Sequence, residues 1–254
     1  MSVPILNELD KTLKREIKLA KNIQTKLLNS TPPISSGVEV SGISIPARLI
    51  GGDYYDVCKL PDGKLRMVIG DVMGKGIPAA MQMILIRGAF RSLAQKANDP
   101  SEMLTLINQA LYEDLRSLTS FVTLFCADWD PASSTIRYAN AGHAYPLLMT
   151  SSSTSTFLES KGIMIGGLPH YEYEQHELII EKGSCLFFYT DGIIEAQNSE
   201  GELYNKKRLI NLLSRIHTLP VEDIKNGVIE ELHCFTEHLQ QKDDITMLVF
   251  KYKY

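Results

Sequence analysis

The sequence has few cysteines, no long apolar run and no excess of basic charge, and each lack excludes a class of protein. Its four cysteines are widely dispersed without Cys-x-x-Cys spacing. This argues against a small disulfide-stapled fold and predicts reduced thiols in the cytoplasm. No apolar segment approaches the roughly 20 residues that a membrane helix needs, and the N-terminus lacks a signal-peptide apolar region. We therefore predict a cytoplasmic protein without a membrane span.

The distribution of charge argues against nucleic acid as a partner. The net charge of the 254 residues is −4. Residues 1–30 carry six basic and three acidic side chains, so the remainder is more acidic than the whole chain. A protein that binds a phosphate backbone needs a basic face. The acidic body excludes that partner and is compatible with cation binding.

Motifs of several common catalytic classes are also missing. The glycine-rich segment 70–76 (GDVMGKG) lacks the Gly-x-x-x-x-Gly-Lys-Ser/Thr spacing of a nucleotide-binding loop. There is no Gly-x-Ser-x-Gly motif of a serine hydrolase. His143 has no evident triad partner, which favours a loop-shaping role for it over a role as a base.

Residues 6–28 carry apolar side chains at alternating steps of three and four, which predicts an amphipathic helix of about three heptads. The segment Pro32–Gly37 then breaks the chain. We predict a linker or dimerisation helix in residues 1–30 and a catalytic domain in residues 38–254. Pairing in a homodimer is the preferred interpretation of the apolar stripe. Packing on its own domain is the main alternative, and a membrane-surface helix, which would lack an aromatic anchor, is the third.

Beyond residue 38, predicted helices and strands come in blocks. Short apolar runs between turn residues predict strands, and a period of 3.6 predicts helices. The predicted strands span 38–45, 54–60, 65–70, 121–128, 134–140, 146–149, 154–158, 173–180, 185–189 and 245–252, and the predicted helices span 79–95, 99–116, 204–216 and 221–240. Blocks of this kind exclude a βαβ array and indicate an α+β fold in which helices cover stacked antiparallel sheets.

Four aspartates, Asp53, Asp71, Asp191 and Asp243, lie next to predicted strands and have no His or Cys at ligand spacing. Sites built from oxygen ligands suit Mg²⁺ or Mn²⁺ and disfavour zinc. Two such ions about 4 Å apart can activate a bridging water and stabilise in-line displacement at a phosphate ester. A turn-capping role explains any one of these residues taken alone, and spacing by itself leaves the two interpretations near even.

Five motifs follow one another along the chain: GGDYYD at 51–56, GDVMGKGIPAA at 70–80, NAGHAYP at 140–146, YTDGIIEA at 189–196 and DDIT at 243–246. In order and spacing they resemble the motifs of the bacterial SpoIIE/RsbU-type serine phosphatases, which belong to the metal-dependent PPM (protein phosphatase 2C-like) superfamily. The resemblance implies an α-β-β-α sandwich of two antiparallel sheets. It also implies two Mn²⁺ or Mg²⁺ ions between the sheets and hydrolysis of phosphoserine or phosphothreonine.

The resemblance assigns metal-binding roles to named positions. Asp71 is similar to the aspartate that bridges both metals, with the Val72 carbonyl assisting. Asp191 and Asp243 resemble the remaining ligands of the metal pair. Asp53 resembles the acidic residue of the first motif, which binds directly, through water or at an accessory metal.

Four further positions qualify these roles. Asp244 occupies the place of an amide in many relatives and is the less expected ligand of its pair. Met73 stands where eukaryotic members carry a histidine that is a candidate general acid, so a metal-bound water is expected to protonate the leaving group. Arg48 precedes Asp53 by five residues, which resembles the spacing of a phosphate-binding arginine, although a solvated strand residue explains it equally well. Lys75 either faces the phosphate or is a flexible surface lysine.

The function implied is dephosphorylation of phosphoserine on a STAS-domain anti-sigma factor antagonist in a partner-switching pathway, by direct attack of a metal-bridging hydroxide. A catalytically silent binding module and a hydrolase of small phosphate esters are the alternatives. No separate sensor domain is visible in 254 residues. An upstream activator is therefore expected to act through residues 6–28 on a switch element, residues 79–116, that positions residues 70–76.

Overall fold

The predicted strands pair into two antiparallel sheets of five strands each, in a computed structural model that describes residues 3–28 and 37–253. The first sheet contains, in spatial order, β1 (Val38–Ile45), β10 (Ile245–Tyr252), β9 (Cys185–Tyr189), β6 (Leu147–Met149) and β7 (Ser155–Phe157). The second contains β2 (Tyr54–Lys59), β3 (Leu65–Val72), β4 (Val122–Asp130), β5 (Thr135–Ala141) and β8 (His176–Ile179). All pairings between these strands are antiparallel, as predicted.

The described residues form six helices, of which two pairs cover the outer faces of the sheets. They are α1 (Val3–Leu28), α2 (Ile77–Leu93), α3 (Pro100–Ser117), α4 (Asp191–Ile194), α5 (Asn205–Ile216) and α6 (Val221–Phe235). Helices α2 and α3 pack on the second sheet, and α5 and α6 pack on the first. The predicted α-β-β-α sandwich is confirmed. None of the helices among the described residues is both long and apolar enough to cross a bilayer.

Alternation of side chains along each strand separates three apolar layers. On β9, Leu186 and Phe188 belong to the layer between the two sheets, whereas Phe187 and Tyr189 belong to the layer under α5 and α6. The same period of two divides β3, where Met67 lies between the sheets. Strands that are buried on both faces have nearly continuous apolar sequences, and these sequences predicted the strands clearly.

Some helix boundaries differ from the predicted ones, because the backbone leaves the helical conformation before the apolar period in the sequence ends. Helix α6 stops at Phe235 and not at Gln240, because Glu237 and His238 adopt positive φ angles of 52° and 59°. The short helix α4 was not predicted, since four residues give no periodic signal. Helix α3 begins as expected behind Asp99, whose side chain accepts a hydrogen bond from the Glu102 amide.

Helix α1 contacts the sandwich at its C-terminal end. The Gln24 side chain donates to the Gly51 carbonyl at 2.7 Å and accepts from the Gly51 amide at 3.1 Å, and Leu28 is buried. In contrast, Leu13, Leu19 and Ile23 are 50%, 54% and 60% exposed. The predicted chain break at 32–36 lies outside the described residues, and the domain boundary stays a prediction.

A buried ion pair attaches the α2–α3 connection to the second sheet. Arg66 on β3 forms two hydrogen bonds with Asp128 on β4, at 2.8 and 2.7 Å, and donates to the carbonyls of Ala94 and Ala97. The two side chains are 0% and 3% exposed. This guanidinium therefore satisfies carbonyls at the end of α2 that would otherwise be buried without donors.

We expect Arg66→Met to lower the free energy of unfolding by about 3–5 kcal/mol, because it leaves the Asp128 carboxylate buried without its partner. Urea unfolding followed by circular dichroism measures this change. The matched control is Arg137→Met, which removes an ion pair with Glu177 whose side chains are 41% and 61% exposed. That control should cost at most about 1 kcal/mol, and equal losses in the two variants would contradict the assignment.

Candidate functional site

The first two candidate aspartates meet because they lie at neighbouring ends of one hairpin. Asp53 directly precedes β2, and Asp71 is the penultimate residue of β3. Tyr54 pairs with Gly70 in the antiparallel ladder, which brings Asp53 beside Asp71. The turn of this hairpin, residues 61–64, is closed by the hydrogen bond from the Leu60 amide to the Lys64 carbonyl.

The second pair forms in the same way on the other sheet. Asp191 lies two residues after the end of β9, and Asp243 lies two residues before the start of β10. Tyr189 pairs with Met247, so that the end of β9 lies beside the start of β10. Each sheet therefore contributes one pair of acidic strand ends to the same edge of the sandwich.

A threonine joins the two pairs across the gap between the sheets. The Thr190 hydroxyl donates to a carboxylate oxygen of Asp53 at 2.8 Å. The same hydroxyl accepts from the backbone amide of Thr246 at 3.0 Å, which fixes its orientation. Thr190 thereby holds the first sheet's strand ends against Asp53.

The aspartates raise one another's pKa values because they are buried together. Burial, followed by the charges of Asp191 and Asp243, raises the pKa of Asp71 to about 7. Burial and then the charge of Asp71 raise the pKa of Asp53 well above its usual range. For Asp191 the pKa is also raised, first by burial and then by Glu195 and Asp243. A site in which negative charges are this costly favours a bound cation.

The carboxylates do not yet point at a common centre. Across residues 3–28 and 37–253, no three His, Cys, Asp or Glu side chains are arranged as a ready metal-binding group. Asp53 is engaged by Thr190, and Asp243 is engaged by the Lys75 ammonium at 2.6 Å. An all-oxygen donor set of this charge nevertheless fits a hard divalent cation.

The Val72 carbonyl lies at the same edge of the second sheet. A Cβ atom added to Gly52 would lie 3.2 Å from this oxygen and 2.9 Å from the Cβ of Ala79. Glycine at position 52 therefore leaves room in front of the carbonyl. The ligand roles predicted for Val72 and for the four aspartates stay predictions.

Asp244 has a structural position that differs from that of its neighbour. Its two carboxylate oxygens accept hydrogen bonds from the amides of Ala47 and Gly52, at 2.8 and 2.7 Å. A Cβ added to Gly51 would lie 2.3 Å from one of these oxygens. Asp244 thus anchors the loop that leads to Asp53, which agrees with its being the less expected ligand.

Three cationic side chains line a cleft beside Asp243. Arg48 is exposed and shares this cleft, of about 360 Å³, with Lys75 and Lys242. Met73, in the place of the family's candidate acid, is 41% exposed and carries no titratable group. The cleft is wide enough and positive enough to receive an anion next to the carboxylates.

The residues that sequence reasoning missed are Thr190 and the ion-pairing role of Lys75. Both belong to recognised motifs, but their side-chain partners are distant in sequence. Thr190 and Asp53 are separated by 137 positions, and Lys75 and Asp243 by 168. The available sequence signal was a threonine in each of two aspartate motifs, YTDGIIEA at 189–196 and DDIT at 243–246.

His143 supports the second sheet behind the aspartates. Its ring Nδ1 lies 2.8 Å from the hydroxyl of Thr123, which is the ladder partner of Asp71. The Asn140 side chain accepts from the His143 amide and donates to its carbonyl. Burial lowers the pKa of His143 to about 4. A neutral, tightly held ring fits the predicted loop-shaping role.

Comparisons with known proteins agree with this geometry. A family model described as Stage II sporulation protein E (SpoIIE) matches residues 61–253. Phosphoserine phosphatase RsbU of Bacillus subtilis (strain 168) is 30% identical over 250 residues, which cover 98% of this chain and 73% of RsbU.

Solved structures share the fold. The SiaA-PP2C domain of Pseudomonas aeruginosa aligns with a TM-score of 0.84 and 20% identity, covering 96% of this chain and 99% of that domain. RsbX in complex with magnesium aligns with a TM-score of 0.66 and 18% identity, covering 87% and 98% of the two chains. Both likenesses concern the fold alone.

We expect His143→Gln to make stability less sensitive to acid. The pKa of this ring is about 4 in the folded protein and about 6.5 when unfolded, so between these values the unfolded chain binds more protons. Stability is therefore lost as the pH falls from 6.5 to 4. The variant should flatten this slope by up to ~1.4 kcal/mol per pH unit, measured by urea unfolding.

The control is His170→Asn, at an exposed turn position with positive φ where asparagine is tolerated. Its slope should match that of the parent protein. Parallel curves for the parent protein and His143→Gln would refute the assignment of a depressed pKa to His143.

Proposed function

Since the chain belongs to the family of the stage II sporulation protein E, SpoIIE, we propose that it is a metal-dependent serine phosphatase whose reaction takes place at the four aspartates. As a member of this family it is a phosphoprotein phosphatase of the RsbU type. The observation that carries the proposal is the meeting of acidic strand ends from both sheets, where burial and neighbouring carboxylates raise the pKa values of Asp71 and Asp53.

Two Mn²⁺ or Mg²⁺ ions are the proposed cofactors. When bound, they would activate a bridging water as the attacking hydroxide and neutralise charge on the phosphoryl oxygens. The residues proposed to hold them are Asp71, the Val72 carbonyl, Asp191 and Asp243, with Asp53 as a direct, water-mediated or accessory ligand. The all-oxygen donor set and the magnesium complex of RsbX support this choice.

The chain's own residues would position the phosphate beside these ligands. Arg48 is the proposed phosphate-binding residue, because it lines the cationic cleft next to Asp243. Burial of Asp53 and the hydrogen bond from Thr190 would keep the strand ends aligned while the phosphate is bound. Met73 has no proton to offer, so the proposal includes protonation of the leaving serine by water at the site.

The proposed substrate is a phosphoserine on a STAS-domain anti-sigma factor antagonist. This step rests on the family motifs and on RsbU as a relative. An open cleft at the edge of the sandwich supports a protein substrate, since a seryl phosphate on a folded surface must reach the aspartates without a deep channel. The four unpaired thiols, Cys58, Cys126, Cys185 and Cys234, fit the cytoplasmic setting of such a pathway.

We expect Asp71→Asn to lower the rate of Mn²⁺-dependent dephosphorylation of a phosphorylated STAS-domain protein by about 100-fold or more. Loss of a carboxylate proposed to hold the ions would remove several kcal/mol of transition-state stabilisation. The rate is measured by phosphate release, and folding of the variant is checked by circular dichroism.

Asp62→Asn, at an exposed position in the β2–β3 turn, is the matched control and should keep the parental rate. An unchanged rate in folded Asp71→Asn would reject the proposed site. Faster turnover of small phosphate esters than of the phosphoprotein would favour the small-ester alternative. Absence of divalent-ion binding would favour a silent binding module.

The exposed apolar side chains of α1 support a homodimer. Leu13, Leu19 and Ile23 are at least half exposed, and a helix with such a stripe is stabilised by pairing with a second helix. On α2, Met81 and Leu85 are also exposed, at 68% and 45%. We propose that α1 pairs with its copy and transmits an upstream activator's signal to the switch element, residues 79–116.

The double variant Leu13→Asp with Ile23→Asp should be a monomer with altered activity, because it places charges in the proposed apolar contact. Sedimentation equilibrium measures the mass. Leu118→Asp, which changes a 54% exposed leucine after α3, is the control and should keep the parental mass. A dimer that survives the double substitution would refute the role of α1.

A further inference from the structure

Lys75 lies in the loop 73–76, which connects β3 to α2. Strand β3 carries the proposed metal ligand Asp71. Its ammonium is 2.6 Å from a carboxylate oxygen of Asp243 and 2.6 Å from the Lys242 carbonyl. The side chain is 34% exposed, so it is neither a free surface lysine nor a fully buried one. Of its three N–H donors, two have partners at the edge of the aspartate cluster.

The ion pair places a positive charge inside the aspartate cluster. The other cations of the neighbouring cleft are placed differently. Lys242 donates to the side-chain oxygen of Gln197, and Arg48 lies against Gly76. Among these three cations of the cleft, Lys75 is therefore the one that pairs with a proposed metal ligand, Asp243.

We propose that Lys75 is an internal counter-cation that competes with a divalent ion for Asp243. A carboxylate oxygen held by an ammonium at 2.6 Å offers that lone pair to the ammonium and not to a metal. The ion must displace the Lys75 ammonium before Asp243 can complete its site. This inference rests on the proposed metal-dependent function and adds a residue that sets the affinity of that site.

The loop that carries Lys75 is built to let the ammonium leave. Gly74 and Gly76 flank it with positive φ angles of 95° and 72°. A Cβ added to Gly74 would meet no atom within 4 Å, so space surrounds this part of the loop. The displaced side chain can turn into the cleft that it shares with Arg48. There its charge would face an incoming phosphate instead of a carboxylate.

The test is calorimetric titration of the full chain, freed of metal, with MnCl₂. Lys75→Met should tighten Mn²⁺ binding roughly three- to fivefold, the upper part of the range expected when a partly exposed ion pair no longer competes. Lys75→Arg keeps a cation and should bind Mn²⁺ within about twofold of the parent. Lys242→Met is the matched control, because it removes the same charge from the adjacent residue without touching a carboxylate. It should also stay near the parental affinity.

Each outcome of the titration tests either the role of Lys75 or the proposed metal site. Unchanged or weaker Mn²⁺ binding by folded Lys75→Met, with normal binding by the parent, overturns the role of Lys75 and leaves the metal site intact. Equal tightening in Lys75→Met and Lys242→Met also overturns it, since that result reports net charge alone. If the parent protein binds no Mn²⁺, the proposed metal-dependent function fails together with this inference.

Discussion

Repulsion among buried carboxylates is the constraint on which this site depends. Asp53, Asp71, Asp191 and Asp243 come from two sheets and meet at one edge, where burial and neighbouring charges raise the pKa values of the first three. A protein gains no stability from such an arrangement by itself. A bound cation would offset this cost, and the oxygen donors would favour a hard divalent ion.

The sandwich maintains this arrangement through packing and a few directed hydrogen bonds. Three apolar layers fix the separation of the sheets, and the antiparallel registers bring the strand ends side by side. Thr190 then joins the sheets at Asp53, and Asp244 anchors the loop before it. Packing of the apolar core thus compensates for the repulsion among the carboxylates at the edge. Such compensation is common at catalytic sites.

The loop 73–76 connects the aspartates to the helical layer. It begins at the end of β3, carries Lys75 to Asp243, and ends at Gly76 directly before α2. A change in the partner of Asp243 would therefore affect the first turn of α2 through Lys75. Helix α1 contacts α2 farther along its length, through the hydrogen bond from Arg87 to the Leu27 carbonyl. Chemistry and regulation would share these contacts, because the proposed switch element begins where the site ends.

From the sequence alone, periodicity and turn residues indicated the α+β class and most strands, because both report local burial. The motifs named the aspartates as candidate ligands, and that role stays a prediction. The sequence also placed Asp71 at a strand end. Only the tertiary structure decided that Thr190 bonds Asp53, that Lys75 pairs with Asp243, and that α1 leaves Leu13 and Ile23 exposed. These outcomes depend on register and packing between segments far apart in the chain, and local pattern carries no information about that geometry.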